Sequence, residues 1–198
     1  MKRRRILAPA LALAIAAAPA FAFAETYDVD QAHSTVSFQV RHLGISKVRG
    51  WFAGFDGSIE YDPSNVAATK IKGTIDATTV DTRNEKRDEH LRGEDFFHTE
   101  EHPTFTFEST SVEPTGDTTA KVTGNLTMRG VTKPVTLDAE YLGATTDPWG
   151  NRKAGFSATG MLNRKDWGIV WNKVLDAGGL TVGDEIQLEL EIEGTAQK

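Results

Sequence analysis

The strongest constraint on what this chain can fold into is a strict two-residue alternation near its C-terminal end. Ile186, Leu188, Leu190 and Ile192 fall on one side, and Gln187, Glu189, Glu191 and Glu193 on the other. A helix, with 3.6 residues per turn, would mix these two sets; a strand separates them cleanly. The same pattern recurs upstream. Val36, Phe38, Val40 and His42 share one face, as do Ile71, Gly73, Ile75 and Ala77, then Phe105 with Phe107, and Val122, Gly124, Leu126 with Met128. Val135, Leu137, Ala139 and Tyr141 form a further face, followed by Ala154, Phe156, Ala158, Gly160 and Leu162. Short alternating runs punctuated by Gly, Pro, Asn and Asp predict antiparallel strands with one buried and one wet side. Val48 to Asp62 also reads as extended, with Gly50, Gly54 and Gly57 signalling a bend or bulge.

One stretch is helical. Thr82 is placed to cap a segment from Arg83 to Arg92 that stops at Gly93. It is polar nearly all round, so it belongs on a rim or surface. About eight strands and one short helix predict an all-β fold: a closed antiparallel barrel or a sandwich, the barrel leaving no exposed edge. Gly and Ala interleaved with Phe on several inward faces favour the barrel, because small inward side chains leave volume that a filled sandwich core would not. A barrel of eight strands is the size that holds one slender ligand. The alternative is that these glycines serve only twist and bulges.

The N-terminus carries an export pattern. Lys2, Arg3, Arg4 and Arg5 precede an uncharged Ala/Leu/Ile-rich run from Ile6 to Ala18, and Ala22-Phe23-Ala24 supplies small residues for cleavage after Ala24. The apolar run is too short for a membrane anchor. Residues 1–24 are therefore expected to be a signal peptide and 25–198 a single mature domain. Removing the signal leaves 18 Lys+Arg against 28 Asp+Glu, a net charge of −10 that disfavours nucleic acid and anionic surfaces. There are 0 cysteines, which excludes thiol nucleophiles, dithiol redox chemistry, thiolate metal ligands and lipoprotein anchoring.

Several motifs, taken in order, resemble the YceI-like polyisoprenoid-binding family across nearly all of the mature chain. They are Tyr27-Asp28-Val29-Asp30, His33-Ser34, Val40-Arg41-His42-Leu43-Gly44-Ile45-Ser46, Asp81-Thr82, Arg87-Asp88-Glu89-His90-Leu91 and Asp95-Phe96-Phe97. His102-Pro103-Thr104-Phe105-Thr106-Phe107, Val122 to Val135, Gly155-Phe156, Asn163-Arg164 and Gly168-Ile169 complete them. The resemblance implies a lipocalin-like barrel in the periplasm, with an elongated cavity for an isoprenoid chain such as a polyprenyl phosphate or a quinone tail. It implies a binding and carrier role without catalysis, and no cofactor besides the bound lipid.

The candidate ligand-binding residues are Phe38, Val40, His42, Phe52, Phe96, Phe97, Phe105, Phe107, Leu126 and Phe156. The aromatic ones read equally as packed core or as contacts to a lipid tail. Phe96 and Phe97 fit a plug or a mouth. His42 shares an apolar face, so its ring needs a partner, either a ligand head group or a neighbouring strand. His33-Ser34 is no hydrolase pair, because neighbours on a strand point to opposite faces. Asp88, His90, Arg92 and Asp95 form either a charged rim or a solvated helix face. His98-Thr99-Glu100-Glu101-His102 matches an inverted zinc-protease pattern, which needs a helix to bring its histidines together, and Pro103 and a β-type run follow at once. A metal-dependent hydrolase on this loop is the enzymatic alternative. Presentation of a quinone to a membrane cytochrome is the interaction alternative, and a homodimer is reasonable for a barrel of this size.

Overall fold

The computed structural model of the protein describes residues 24–174 and 178–198. The expected export signal, up to Phe23, lies outside the described residues. The strands are β1 (Glu25–Val29), β2 (Thr35–His42), β3 (Ser46–Phe52), β4 (Phe55–Tyr61), β5 (Lys70–Asp76), β6 (Val80–Asp81), β7 (Thr104–Pro114), β8 (Thr119–Met128), β9 (Val131–Thr146), β10 (Arg152–Asn163) and β11 (Val182–Ala196). The single α-helix among the described residues, α1, runs from Glu85 to Arg92.

These strands make one closed antiparallel barrel. β5, β7, β8, β9, β10 and β11 follow one another around the wall. β11 then pairs through residues 182–191 with β2 and through 194–196 with β1, which closes the ring. β1 and β2 are one wall strand broken by a 3-10 turn at Gln31–His33, and β5 and β6 one strand broken at Ala77–Thr79. β3 and β4 are separated by Ala53 and Gly54, the bend that the glycines predicted. Counted along the wall, the described residues make an eight-stranded barrel, which is the architecture expected, with the short β6 paired on its β3 side alone.

The alternation places the predicted faces inward. β11 shows what they enclose: Ile186, Leu188, Leu190 and Ile192 all point into the barrel, yet each is only half-buried. Inward apolar side chains that remain accessible border a space. Packed regions lie at its ends. At the α1 end Phe38, Phe52, Phe97 and Phe105 meet largely edge to face, with Phe97 and Phe105 centroids 5.3 Å apart at 77°. Trp167 is fully buried nearby and donates its indole N–H to the Leu126 carbonyl at 3.1 Å. At the other end Tyr27, Tyr61, Tyr141 and Phe156 form a second aromatic group.

Three local readings change. The N-cap of α1 is Asn84, whose side chain accepts from the Arg87 N–H at 3.0 Å, and the helix starts at Glu85. Thr82 acts differently. It is buried, and it donates its N–H (2.9 Å) and its hydroxyl to the Asp88 carboxylate, tying the helix to the wall. Ala77 does not continue the β5 face, because Asp76 caps a 3-10 turn there, yet it is wholly buried.

The third change concerns glycine. A methyl at Gly50 would land on the Phe38 ring, one at Gly124 on the Phe107 ring, and one at Gly160 on the Leu137 side chain. These glycines leave no empty volume at their own sites. They let a large neighbour lie flat against the wall, and that keeps the axis clear. Gly73 differs: a methyl there would have its nearest neighbour, the Asp56 carbonyl oxygen, at 3.8 Å.

Candidate functional site

The barrel encloses a cavity of about 450 Å³, within the roughly 300–1,000 Å³ range typical of ligand sites. It runs from Tyr61, Val66 and the β7–β8 turn at one end to His42, Arg164 and Trp171 at the other. Its middle is hydrocarbon: Ile71, Val122, Leu137, Ala158, Leu188 and Leu190. Phe38, Val40, His42, Phe52, Phe96, Phe97, Phe105, Phe107, Leu126 and Phe156 all line it, so the structure brings the ten sequence-derived candidates to one cavity.

They divide by position. Phe38, Phe52, Phe105 and Leu126 are buried and double as packed core, whereas Val40, Phe107 and Phe156 also border the cavity. Phe97 joins the aromatic group under α1 and Phe96 sits above it, packed against Trp171 with centroids at 5.3 Å. His90 meets both Phe96 and Trp171 edge-on, at 4.9 and 5.0 Å, while its Nε2 lies 2.9 Å from Asp95. Of the expected charged rim, His90 and Asp95 thus form a pair at the mouth. Asp88 is turned inward to Thr82 instead.

His42 ends β2 at this mouth. Among the described residues its ring has no hydrogen-bond partner, although the ring lines the cavity. Arg164, 3 % exposed, also reaches the cavity wall, but its donors are spent on the Gly183, Ile169 and Trp171 carbonyls and on Asp184. Burial holds its pKa below the usual arginine range. It therefore ties residues 169–171 to residues 183–184 beside the opening.

Sequence reasoning missed Trp171, Leu91 and Arg164 at the mouth, and Tyr61 at the far end. Tyr61 carried a readable signal, since it lies two residues beyond Ile59 on the same face. Trp171 and Arg164 lie outside the strands, where no periodicity marks an inward side chain. Burial pushes the Tyr61 hydroxyl up from its ordinary range, and it pushes Tyr27, which also donates to Glu25, to about 12.

The remaining histidines lie elsewhere. His33 is exposed, in the turn between β1 and β2, and pairs with Asp30 at 3.1 Å. Ser34 bonds the Glu193 backbone and makes no side-chain bond to His33. His98 and His102 are outside the cavity lining. Their loop is not a helix, yet a single turn closed by His102 N–H to His98 C=O at 2.9 Å brings them together, contrary to the expectation that only a helix would.

A closed up-and-down barrel around an apolar lumen, with aromatic rings and a few polar groups at its ends, is the architecture of a barrel-type ligand-binding protein. The sequence carries the YceI-like domain over residues 27–194, and the chain belongs to that family. It is 44 % identical over 177 residues to the YceI protein of Escherichia coli O157:H7, covering 88 % of this chain and 89 % of that one. It is similar to the crystal structure of the Campylobacter jejuni YCEI protein: TM-score 0.68, 34 % identity, 80 % of this chain and 90 % of that one. A polyisoprenoid binding domain from Saccharophagus degradans, implicated in plant cell wall breakdown, has the same fold at 13 % identity, with TM-score 0.64 over 88 % of this chain and 100 % of that one. Among the described residues no helix is long and apolar enough to cross a membrane.

Proposed function

We propose that this protein is a periplasmic carrier that sheathes the chain of a long isoprenoid lipid, such as a polyprenyl phosphate or a quinone tail, inside its barrel. The observation that carries the reading is the hollow: a continuous apolar lumen bordered by half-buried Leu, Ile and Phe side chains. Each methylene moved from water into such a lumen contributes about 0.8 kcal/mol, so a chain of many carbons has a strong drive to enter. The polyisoprenoid-binding relative of the same fold supports the ligand class, and the cationic head, apolar run and Ala-Phe-Ala site of the first 24 residues support export.

The head group sits at the α1 end, where His42 offers an unpaired ring among aromatic walls and where loops, not strands, cover the opening. His42→Leu keeps an apolar face and removes the polar contact. We expect it to weaken a head-bearing polyprenol by about 0.5–1.5 kcal/mol and to leave a headless hydrocarbon unchanged. Equal losses for both ligands would remove His42 from the head-group site.

The decisive experiment is solvent extraction and mass spectrometry of protein purified from the bacterial envelope, followed by loading with polyprenyl phosphate. One long-chain lipid per barrel is the expected result. A barrel that stays empty after loading overturns the carrier reading.

A further inference from the structure

The turn between α1 and β7 holds a group that the lipid site does not use. His98, Glu101 and His102 each place one ligand-type atom within 4.8 Å of the other two. The two imidazoles meet nearly edge-on, centroids 5.9 Å apart, and His98 Nδ1 lies 3.8 Å from Glu101 Oε2. We propose that this trio is a zinc site, with two imidazole nitrogens and one carboxylate oxygen as ligands and the fourth position open to water.

The donor set is a recurrent one for Zn²⁺, which accepts His and Glu in tetrahedral geometry at about 2.0–2.2 Å. Such bond lengths put ligand atoms roughly 3.4 Å apart, so the trio must close by about an ångström, a matter of side-chain rotation. The backbone is already set. His98 adopts φ 51°, a left-handed conformation that a non-glycine residue holds only where its surroundings fix it. Its N–H bonds Gly93 C=O at 2.9 Å, and its own carbonyl accepts from the Glu101 and His102 N–H groups, which gathers the three residues into one tight turn.

Two contrasts single the trio out. His33 and His90 are each within 3.1 Å of a carboxylate, whereas among the described residues no ring nitrogen of His98 or His102 makes a hydrogen bond. The other trio of this kind, Asp30, His33 and Glu193, is already filled by a protein cation: Lys153 Nζ lies 2.6 Å from Asp30 and 3.1 Å from Glu193. Around His98 the sequence also places Glu94, Asp95 and Glu100, whose charges draw a divalent cation in.

The same turn carries Phe96 and Phe97, and Arg129 at the tip of the β8–β9 hairpin donates to the Phe96 carbonyl at 2.7 Å. A metal bound here fastens the 93–102 segment from its outer side. The site itself stands whether or not the lumen holds a lipid.

The test is calorimetric titration of tag-free protein with zinc chloride, together with hydrogen exchange. One zinc per chain is expected, with slower exchange of the His98, Thr99 and His102 amides when zinc is present. Loss of one outer partner of a metal site typically costs roughly 10- to 100-fold in affinity, so His98→Asn and His102→Ala should each cost at least that, while His33→Ala changes nothing. Asn suits the left-handed backbone at 98, so that variant keeps the turn intact. Zinc binding that survives both substitutions, binding that is lost in His33→Ala instead, or no saturable binding to the wild type overturns the assignment.

Discussion

A single hydrogen atom at position 124 helps keep the lumen open. Because Gly124 has no side chain, the Phe107 ring lies against β8, and the same arrangement seats Phe38 over Gly50. Gly124→Val would displace the ring toward the axis. Overpacking of this kind costs about 1–3 kcal/mol, so we expect a lower unfolding midpoint together with reduced uptake of an apolar probe; unchanged uptake would show that Phe107 has room elsewhere. Asp30 is informative in a different way. Lys153, and then His33, hold its carboxyl down at about 2 against an ordinary 3.8. A carboxyl depressed in the folded state stabilises fully above pH 3.8, and that contribution disappears as pH falls toward about 2. Asp30→Asn retains the cap on Ala32 N–H but not the charge. The variant should lose roughly 0.2–1 kcal/mol at neutral pH, as partly exposed pairs do, and show a flatter acid limb in pH-dependent unfolding; parallel limbs would contradict the pairing. Residues such as Phe38 and Phe107 were legible because alternation fixes their face. What alternation does not carry is the partner across the strand, so inward glycines read as space when they are seats for aromatic rings.

Elements were legible to the extent that their signals are local. The wall strands follow from period two, and the β3–β4 bend from Gly54. The breaks at Gln31–His33 and Ala77–Thr79 come from Asp30 and Asp76 accepting bonds from N–H groups two residues on, a side-chain habit that competes with the ladder and leaves no trace in hydropathy. At α1 two good capping residues stand two apart, Thr82 and Asn84, and residue type alone does not choose between them. Tertiary structure does: the buried Asp88 accepts both Thr82 donors, and Arg87 adds Nε and Nη2 bonds to the Thr82 hydroxyl and carbonyl at 2.7 and 2.6 Å. Two substitutions separate these roles. Asn84→Ala removes a cap and should cost about 1 kcal/mol. Asp88→Ala strands a buried N–H and hydroxyl, each worth about 1–3 kcal/mol when unsatisfied, so it should destabilise more, in urea unfolding, than the cap deletion. The reverse order would mean that Thr82 finds water in place of Asp88.

At the scale of the molecule, the barrel faces a constraint that solid domains do not: it must be stable while part of its interior is unfilled. The solution is segregation. Trp167, with its indole bonded to Leu126, and the Phe38, Phe52, Phe97 and Phe105 group form a packed region beside the mouth, so Trp167→Ala should cost about 3–5 kcal/mol, as in any dense core. Ala158 lies midway along β10 and faces the lumen. In a packed core, Ala→Phe there would overpack and destabilise by about 1–3 kcal/mol. In a hollow one the new ring enters space and gains apolar contact, so Ala158→Phe should leave the unfolding midpoint nearly unchanged while abolishing uptake of a long polyprenyl chain, read as bound lipid per barrel by mass spectrometry. Strong destabilisation with normal uptake would mean that the lumen runs elsewhere or closes in solution. This pairing separates two properties that sequence patterning leaves merged, because an inward apolar residue looks the same whether another side chain or a ligand completes its contacts.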